Sequence, residues 1–232
     1  MASLPPPDEK ARAVREMFDR IAPRYDRANR VLTGRFDQRW RRSLVQRLRI
    51  GPADRVLDLA CGTGDFAELA RNEGAEVYGL DFSRGMLEGA LRRGLHGIDF
   101  VQGDALHLPF PSRMFTAAVS GFALRNFTEI EPVLHELGRV IGPGGTIGLL
   151  EVDEPRNRVL RWGHSVYFER MVPLIGGLLT RDRAAYSYLP ESAAYLPPER
   201  ELAAMLRSAG FEQIRKRRHM GGAIQAISAV RS

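Results

Sequence analysis

Three aspartates follow one another along the first half of the chain, each in or just after a short apolar run. Asp58 lies within RVLDL (55–59), Asp81 follows EVYGL (76–80), and Asp104 comes shortly after IDFVQ (98–102). Between the first two, Gly62-Thr63-Gly64-Asp65-Phe66-Ala67 satisfies the G-x-G-x-x-[GA] pattern of dinucleotide-binding turns. Glycine amides at a helix N-terminus suit phosphate. Asp58 argues against a pyrophosphate, because a carboxylate at the tip of that strand favours a cationic group such as an α-ammonium.

The other two aspartates extend this reading. Asp81, ending the second run, is placed to accept both hydroxyls of a ribose, a feature that NAD sites share. Asp104 can accept from an exocyclic amino group while Ala105 and its apolar neighbours flank an adenine ring. Asp58, Gly62, Thr63, Gly64, Asp81, Asp104 and Ala105, with Gly121 at the end of a fourth run, together match S-adenosylmethionine. Each residue also has a plainer role: Asp81 as a helix cap, Asp104 as a turn residue, Cys61 as small packing. An NAD-linked protein is disfavoured by Asp58 and Asp104-Ala105.

The elements that position these residues alternate. RVLDL, EVYGL, IDFVQ, FTAAVSG (115–121) and GTIGLLEV (145–152) read as strands, with helical stretches near 64–73, 83–93 and 129–141. That pace implies right-handed βαβ units and a mostly parallel sheet covered by helices on both faces, an α/β Rossmann-like fold. Ligands then bind at the carboxyl ends of the strands. Two helices are expected ahead of the sheet, at 8–21 and 38–48. Residues 153–197 break the rhythm, a helix follows at 198–209, and two strand-like runs around Gly221-Gly222 form an antiparallel edge hairpin. The seven-stranded reading is one domain over 1–232: a helical lid at 8–50, a cofactor-binding core at 51–152 and an insertion or lid at 153–197.

Composition narrows the function classes. The 232 residues are 44% hydrophobic, which suits a globular core. One cysteine excludes an internal disulfide and a thiolate zinc cluster, and the histidines (96, 107, 135, 164, 219) show no ligand spacing, so no metal is expected. MASLPPPDEK has no apolar core of a secretory signal. Met171–Thr180, an apolar run, is too short for a bilayer span of about 20 residues. These features point to the cytoplasm. Net charge is +6 over 1–54, −5 over 55–151 and +5 over 152–232. With no nucleic-acid motif present, no nucleic-acid partner is expected, and the basic ends point to an anionic membrane surface instead.

Further motifs carry a resemblance across almost the whole chain. They are MFDRIAPRYDRANRVLTGRFDQRWRR (17–42), VLDLACGTGD (56–65), DALHLPF (104–110), GFALRNFTEI (121–130), GRVIGPGG (138–145) and YSYLPESAAYLPPERELAAMLRSAGF (186–211). On these the chain resembles the demethylmenaquinone/ubiquinone C-methyltransferase family. The glycine loop and PGG mark only the wider superfamily of class I methyltransferases; Tyr25-Asp26, Leu124-Arg125-Asn126 and the YSYL segment are more discriminating.

The resemblance implies methyl transfer from S-adenosylmethionine to a ring carbon of a reduced, prenylated quinol. An aromatic carbon becomes a good nucleophile when a neighbouring hydroxyl loses its proton, so the site needs a base and a cationic stabiliser. Arg125, which stays protonated, is expected to stabilise the quinolate, and Asn126 to orient a water or ring oxygen. Capping a helix or pairing with Glu129 is the structural alternative for Arg125. Tyr25 is expected to offer its ring to the sulfonium, with Asp26, Tyr186, Tyr188 and Ser192 lining the quinol pocket; His164 and Tyr167 are further base candidates. Segment 156–180 mixes arginine with large apolar residues, as an interfacial lid or an ordinary packed insertion would. A homodimer is a further candidate assembly.

The chain departs from the family at Gly34-Arg35, where Phe-Gly is common, at Ala123, where Gly is common, and at Gly121, where Ser or Thr is common. Ala123 narrows the turn near the acceptor; none of these changes removes a proposed chemical group. The expected reaction is C-methylation of demethylmenaquinol. The alternatives are a ubiquinone-pathway benzoquinol as acceptor, or a non-catalytic cofactor-binding scaffold.

Overall fold

The structure is a computed structural model that describes residues 7–232, so the proline-rich tip at 1–6 lies outside the described residues. Seven strands form one sheet: β1 (Arg55–Leu59), β2 (Glu76–Asp81), β3 (Ile98–Gln102), β4 (Phe115–Gly121), β5 (Ile141–Val152), β6 (Phe211–His219) and β7 (Ile224–Arg231). Their order is β3-β2-β1-β4-β5-β7-β6. β7 is antiparallel to both neighbours, while β1 to β5 pair in parallel. The expected C-terminal hairpin is therefore present at the sheet edge. β5 starts four residues earlier than its apolar run suggests, with an irregular register opposite Phe115 and Ala117.

Val56, Leu57, Asp58 and Leu59 are all buried, as befits a central parallel strand covered on two faces. One face is covered by α2 (Phe36–Leu48) and α3 (Asp65–Asn72), the other by α5 (Ile130–Val140) and α9 (Glu199–Ser208). α4 (Arg84–Arg92) follows β2, and Ser83 caps it by accepting from the Met86 amide at 3.1 Å. The order reverses between β1 and β4, which opens the ligand crevice of an α/β sheet at the loops that follow those strands.

Helix α1 (Pro7–Leu32) is eleven residues longer at its C-terminal end than the sequence suggests. Pro23 lies inside it, and a proline there removes one intrahelical hydrogen bond. Tertiary contacts override that signal. Val14, Met17, Ile21, Ala22 and Ala28 are buried in a cluster with Met86, Val172 and Tyr186. Residues 153–197 are mostly helical: α6 (Arg158–Val166), a π-helical stretch (Tyr167–Met171), α7 (Val172–Thr180) and α8 (Arg183–Ser192). Among the described residues no helix is long and apolar enough to cross a membrane.

Candidate active site

The glycine loop turns sharply between β1 and α3. Gly64 stands at φ +88°, and a Cβ there would come within 2.8 Å of the Leu95 side chain, so only glycine fits. Asp58 is buried beneath this loop, where one carboxylate oxygen accepts from the Ala67 amide at 2.8 Å. Burial raises its pKa to about 8. Asp81 accepts from the amides of Gly62 and Ser83, both at 2.8 Å, and burial raises it to about 6. Asp104 accepts from the Leu106 amide at 2.9 Å beside the buried Ala105.

Two adjoining chambers result. The larger is lined by Gly62, Asp81, Asp104, Ala105, Gly121 and Asn126, with Phe18 and Tyr25 of α1 reaching over it. The smaller is lined by Arg41, Asp58, Thr63, Asp65 and Phe66. Tyr25, Ala60, Gly62 and Gly121 border both chambers. A Cβ on Gly121 would come within 2.8 Å of the Phe66 ring, so this junction is kept open by the absence of a side chain.

Helix α1 is latched to the end of three different strands. Lys10 donates to the Phe127 carbonyl (2.7 Å), in the loop after β4. Asp19 accepts from Ser83 Oγ (2.6 Å) and the Gly85 amide (2.8 Å), after β2. Asp26 accepts from Thr63 Oγ1 (2.5 Å), after β1. Asp26, expected in the acceptor pocket, is thus engaged by the glycine loop, because α1 continues past Pro23 and brings it there.

Arg125 and Asn126 lie in the 3₁₀ turn Leu124–Asn126, just beyond β4. Arg125 is buried and its Nη1 donates to Glu151 of β5, not to Glu129. The guanidinium lies over the Phe122 ring, 5.9 Å from its centroid. Asn126 donates to the Phe122 carbonyl at 3.2 Å, while its Oδ1 is buried without a protein partner. Tyr25 is buried enough to push its hydroxyl up to about 12, so it stays neutral at ordinary pH.

Tyr186 is buried among α1 and α7 residues, and a Cβ on Gly176 would collide with its ring. The hydroxyls of Tyr186 and Tyr188 have no protein partner, and burial raises both, Tyr188 to about 12. Ser192 is fully buried. His164 stacks on Phe168 with ring centroids 5.0 Å apart, in a separate groove, and Tyr167 donates to the Leu32 carbonyl. Neither borders the two chambers. Cys61 is buried, and burial with Asp58 and Asp81 nearby pushes its thiol up, which is a poor setting for a nucleophile. Among the described residues no group of three His, Cys, Asp or Glu could hold a metal ion.

Arg41 and Glu151 escaped the sequence reading. Arg41 pairs with Asp37 at 2.9 Å and its guanidinium faces both Phe66 and Phe122, 5.4 Å from each centroid. With Asp58 it gives the smaller chamber one group for an ammonium and one for a carboxylate. That donor set fits the zwitterionic end of S-adenosylmethionine, and the Asp81–Asp104–Ala105 wall fits its ribose and adenine.

The profile of the ubiE/COQ5 methyltransferase family matches residues 7–231. The chain belongs to this family. It is a methyltransferase, and its cofactor is S-adenosylmethionine. A demethylmenaquinone methyltransferase of Roseiflexus castenholzii is 45% identical over 91% of this chain and 90% of its own length. One of Thermus thermophilus is 44% identical over 84% and 91%. A ubiquinone/menaquinone biosynthesis C-methyltransferase of Syntrophotalea carbinolica is 39% identical over 94% of each. Among solved structures, an S-adenosylmethionine-dependent methyltransferase of Thermotoga maritima superposes with a TM-score of 0.65 at 22% identity, covering 94% of this chain and 99% of its own. At that identity the likeness speaks for the shared fold. The seven-stranded, mostly parallel sheet is thus the family's scaffold in this ubiE/COQ5 member.

Proposed function

We propose that this ubiE/COQ5 family member methylates a ring carbon of demethylmenaquinol, giving menaquinol, in quinone biosynthesis. The observation that carries the reading is the turn after β4, where Asn126 lines the larger chamber and the buried Arg125 stands behind it, over the Phe122 ring and within the field of Tyr25. The names of the Roseiflexus and Thermus relatives support the naphthoquinol over the benzoquinol acceptor.

When bound, S-adenosylmethionine supplies a methyl group that is already electrophilic on a sulfonium. Arg41 and Asp58 would hold its amino-acid end, Asp81 its ribose, and Asp104 with Ala105 its adenine. The protein's own work is to raise the acceptor's electron density and exclude water. Arg125 contributes a fixed positive charge and spare N–H donors toward an acceptor oxyanion in a site of low polarity. The free Oδ1 of Asn126 accepts from the acceptor hydroxyl or from a water that carries its proton away. Helix α1, latched at Lys10, Asp19 and Asp26, roofs the chambers, and Phe18 and Tyr25 present aromatic surface to the ligand.

Helices α6 and α7 suggest how a lipid-tailed acceptor arrives. Val159, Leu160, Trp162, Met171, Leu174 and Leu178 are exposed there, among the exposed Arg158, Arg161, Arg170 and Arg181. An anionic lipid surface satisfies both the apolar and the basic groups. A second copy pairing through the same face would set arginines against arginines, so the lipid surface is favoured over a homodimer here.

The test is incubation with S-adenosylmethionine and, in parallel, reduced naphthoquinol and benzoquinol acceptors, followed by mass spectrometry. Methylated naphthoquinol is the expected product. Faster methylation of the benzoquinol would move the assignment to the ubiquinone pathway, and cofactor binding without either product would leave a scaffold.

A further inference from the structure

Glu151 stands one residue before the end of β5, in a stretch that is otherwise apolar from Ile147 to Val152, and it is fully buried. Its Oε1 accepts from Arg125 Nη1 and from the Val152 amide at 2.9 Å. The second oxygen, Oε2, meets no protein donor, and Arg125 Nε meets no protein acceptor. The strand end is itself pinned, since Gln225 on β7 pairs with Glu151 and donates to the Val152 carbonyl at 2.9 Å. Glu151 is thus a rigidly mounted negative charge behind the wall that carries Arg125 and Asn126.

We propose that Glu151 is the positioning residue of the acceptor site, fixing the direction of the Arg125 guanidinium and setting how readily the acceptor hydroxyl ionises. This rests on the reading that Arg125 stabilises an acceptor oxyanion. An unpaired guanidinium would act on that oxygen with its full charge. Paired with Glu151, it acts through oriented N–H donors and a smaller net field.

Around Arg125 stand Tyr25 from α1, Tyr188 from α8 and, across the Phe122 ring, Arg41 from α2, while Lys10 of α1, a second cation that burial lowers to about 8, bonds the Phe127 carbonyl just past the same turn. The two tyrosines stay neutral over the assay range, both raised to about 12 by burial, and Arg41 is held by Asp37. Glu151 is left as the group whose charge balances Arg125.

Two variants separate charge from position. Glu151→Gln keeps the size and an oxygen for Nη1 but removes the negative charge, so the acceptor hydroxyl loses its proton more easily. The acid limb of its kcat profile, taken at saturating cofactor and quinol so that it reports the bound acceptor, should move about one unit to lower pH. Glu151→Asp keeps the charge but draws it back by one methylene. Its acid limb should stay in place while kcat falls about tenfold or more. Both variants should bind S-adenosylhomocysteine within about twofold of wild type by calorimetry, because Glu151 borders neither ligand chamber.

A wild-type acid limb in Glu151→Gln overturns the proposal, as does a fall in S-adenosylhomocysteine affinity parallel to the fall in kcat. Should Glu151→Gln melt below the assay temperature, Glu151→Asp decides alone: undiminished kcat overturns the proposal, and lost kcat at unchanged cofactor affinity supports it. Failure of the wild-type enzyme to methylate any quinol would instead remove the underlying reading of Arg125.

Discussion

Asp26 on α1 and Thr63 in the glycine loop are joined by a 2.5 Å hydrogen bond across 37 residues of sequence. The bond ties the roof of the ligand site to the loop expected to hold the cofactor. Opening one should therefore loosen the other. Asp26→Ala leaves Thr63 Oγ1 without its acceptor, and a hydrogen bond to a charged group contributes about 1.5–3 kcal/mol. S-adenosylhomocysteine affinity should fall about tenfold, with a smaller loss for Thr63→Ser, which keeps the hydroxyl. Calorimetry showing wild-type affinity in Asp26→Ala would mean that the latch is incidental to binding.

The buried carboxyls give the ligand-free protein a definite pH response. Folding raises Asp58 from 3.8 to about 8 and Asp81 from 3.8 to about 6. A raised pKa means that the folded state holds the proton more tightly than the unfolded chain. The stabilisation is complete below pH 3.8 and is lost as pH rises through the folded value. Melting temperature should therefore decline from about pH 4 to about pH 8 through these groups, and Asp58→Asn should flatten the decline. Bound S-adenosylhomocysteine should oppose it, because its ammonium favours the Asp58 carboxylate, so affinity should rise with pH up to about 8. Thermal melts across this range, with and without ligand, read both effects. An unchanged slope in Asp58→Asn would exclude Asp58 as the source.

Gly121 offers a steric test at the junction of the two chambers. Gly121→Val would press on the ring of Phe66, itself only 3% exposed and unable to swing away. Overpacking of this kind costs about 1–3 kcal/mol, and the added methyls enter the ligand space as well. S-adenosylhomocysteine affinity should drop by more than about tenfold, beyond what the lost stability explains. Gly51→Ala, where nothing lies within 4 Å of the added Cβ, is the control and should bind normally.

The lipid-facing assignment of α6 and α7 is tested by putting negative charge in place of its exposed apolar groups. Trp162 is 72% and Leu178 81% exposed, so glutamate at either position disturbs little packing. Each large side chain entering a bilayer interface contributes roughly 1.5–3 kcal/mol. Trp162→Glu/Leu178→Glu should lower co-sedimentation with anionic vesicles at least about tenfold while turnover of a short-chain, soluble quinol is kept. No wild-type binding to such vesicles at low salt would dismiss the idea.

The sheet was legible in the sequence because its parallel strands are mostly apolar runs that alternate with helical stretches and glycine-bearing turns. RVLDL and IDFVQ coincide with β1 and β3 to the residue. Local signals failed where distant contacts decide. Pro23 suggests a helix end, yet packing of Ile21, Ala22 and Ala28 on α4 and α7 carries α1 through it to Leu32. That extension moves Asp26 onto Thr63. Glu151 was visible as a lone charge in GLLEV, but its partner lies 26 residues away on another strand's loop, which no local pattern reports. Arg41 likewise sits in an arginine-rich run whose other members are mostly exposed, and only the fold singles it out.

Arg125 is the decisive residue for the chemistry, and its burial complicates the obvious experiment. Arg125→Ala leaves the Glu151 carboxylate buried without its counter-charge, which destabilises a protein by about 3–5 kcal/mol. Lost activity in that variant would be ambiguous. Arg125→Met/Glu151→Gln removes both charges at similar volume, and such replacement of a buried ion pair is often neutral or stabilising. The double variant should melt near wild type and bind S-adenosylhomocysteine normally, since neither residue borders the chambers. Its turnover of the reduced quinol should nevertheless fall about 10²–10³-fold, the usual effect of removing an oxyanion-stabilising donor. Arg125→Lys, which keeps a positive charge but not the planar fork of donors, should fall between the two. Stopped-time methylation assays on folded, cofactor-competent protein make the comparison. Wild-type turnover in the double variant would show that the buried pair serves only the fold and that the acceptor's proton is handled elsewhere.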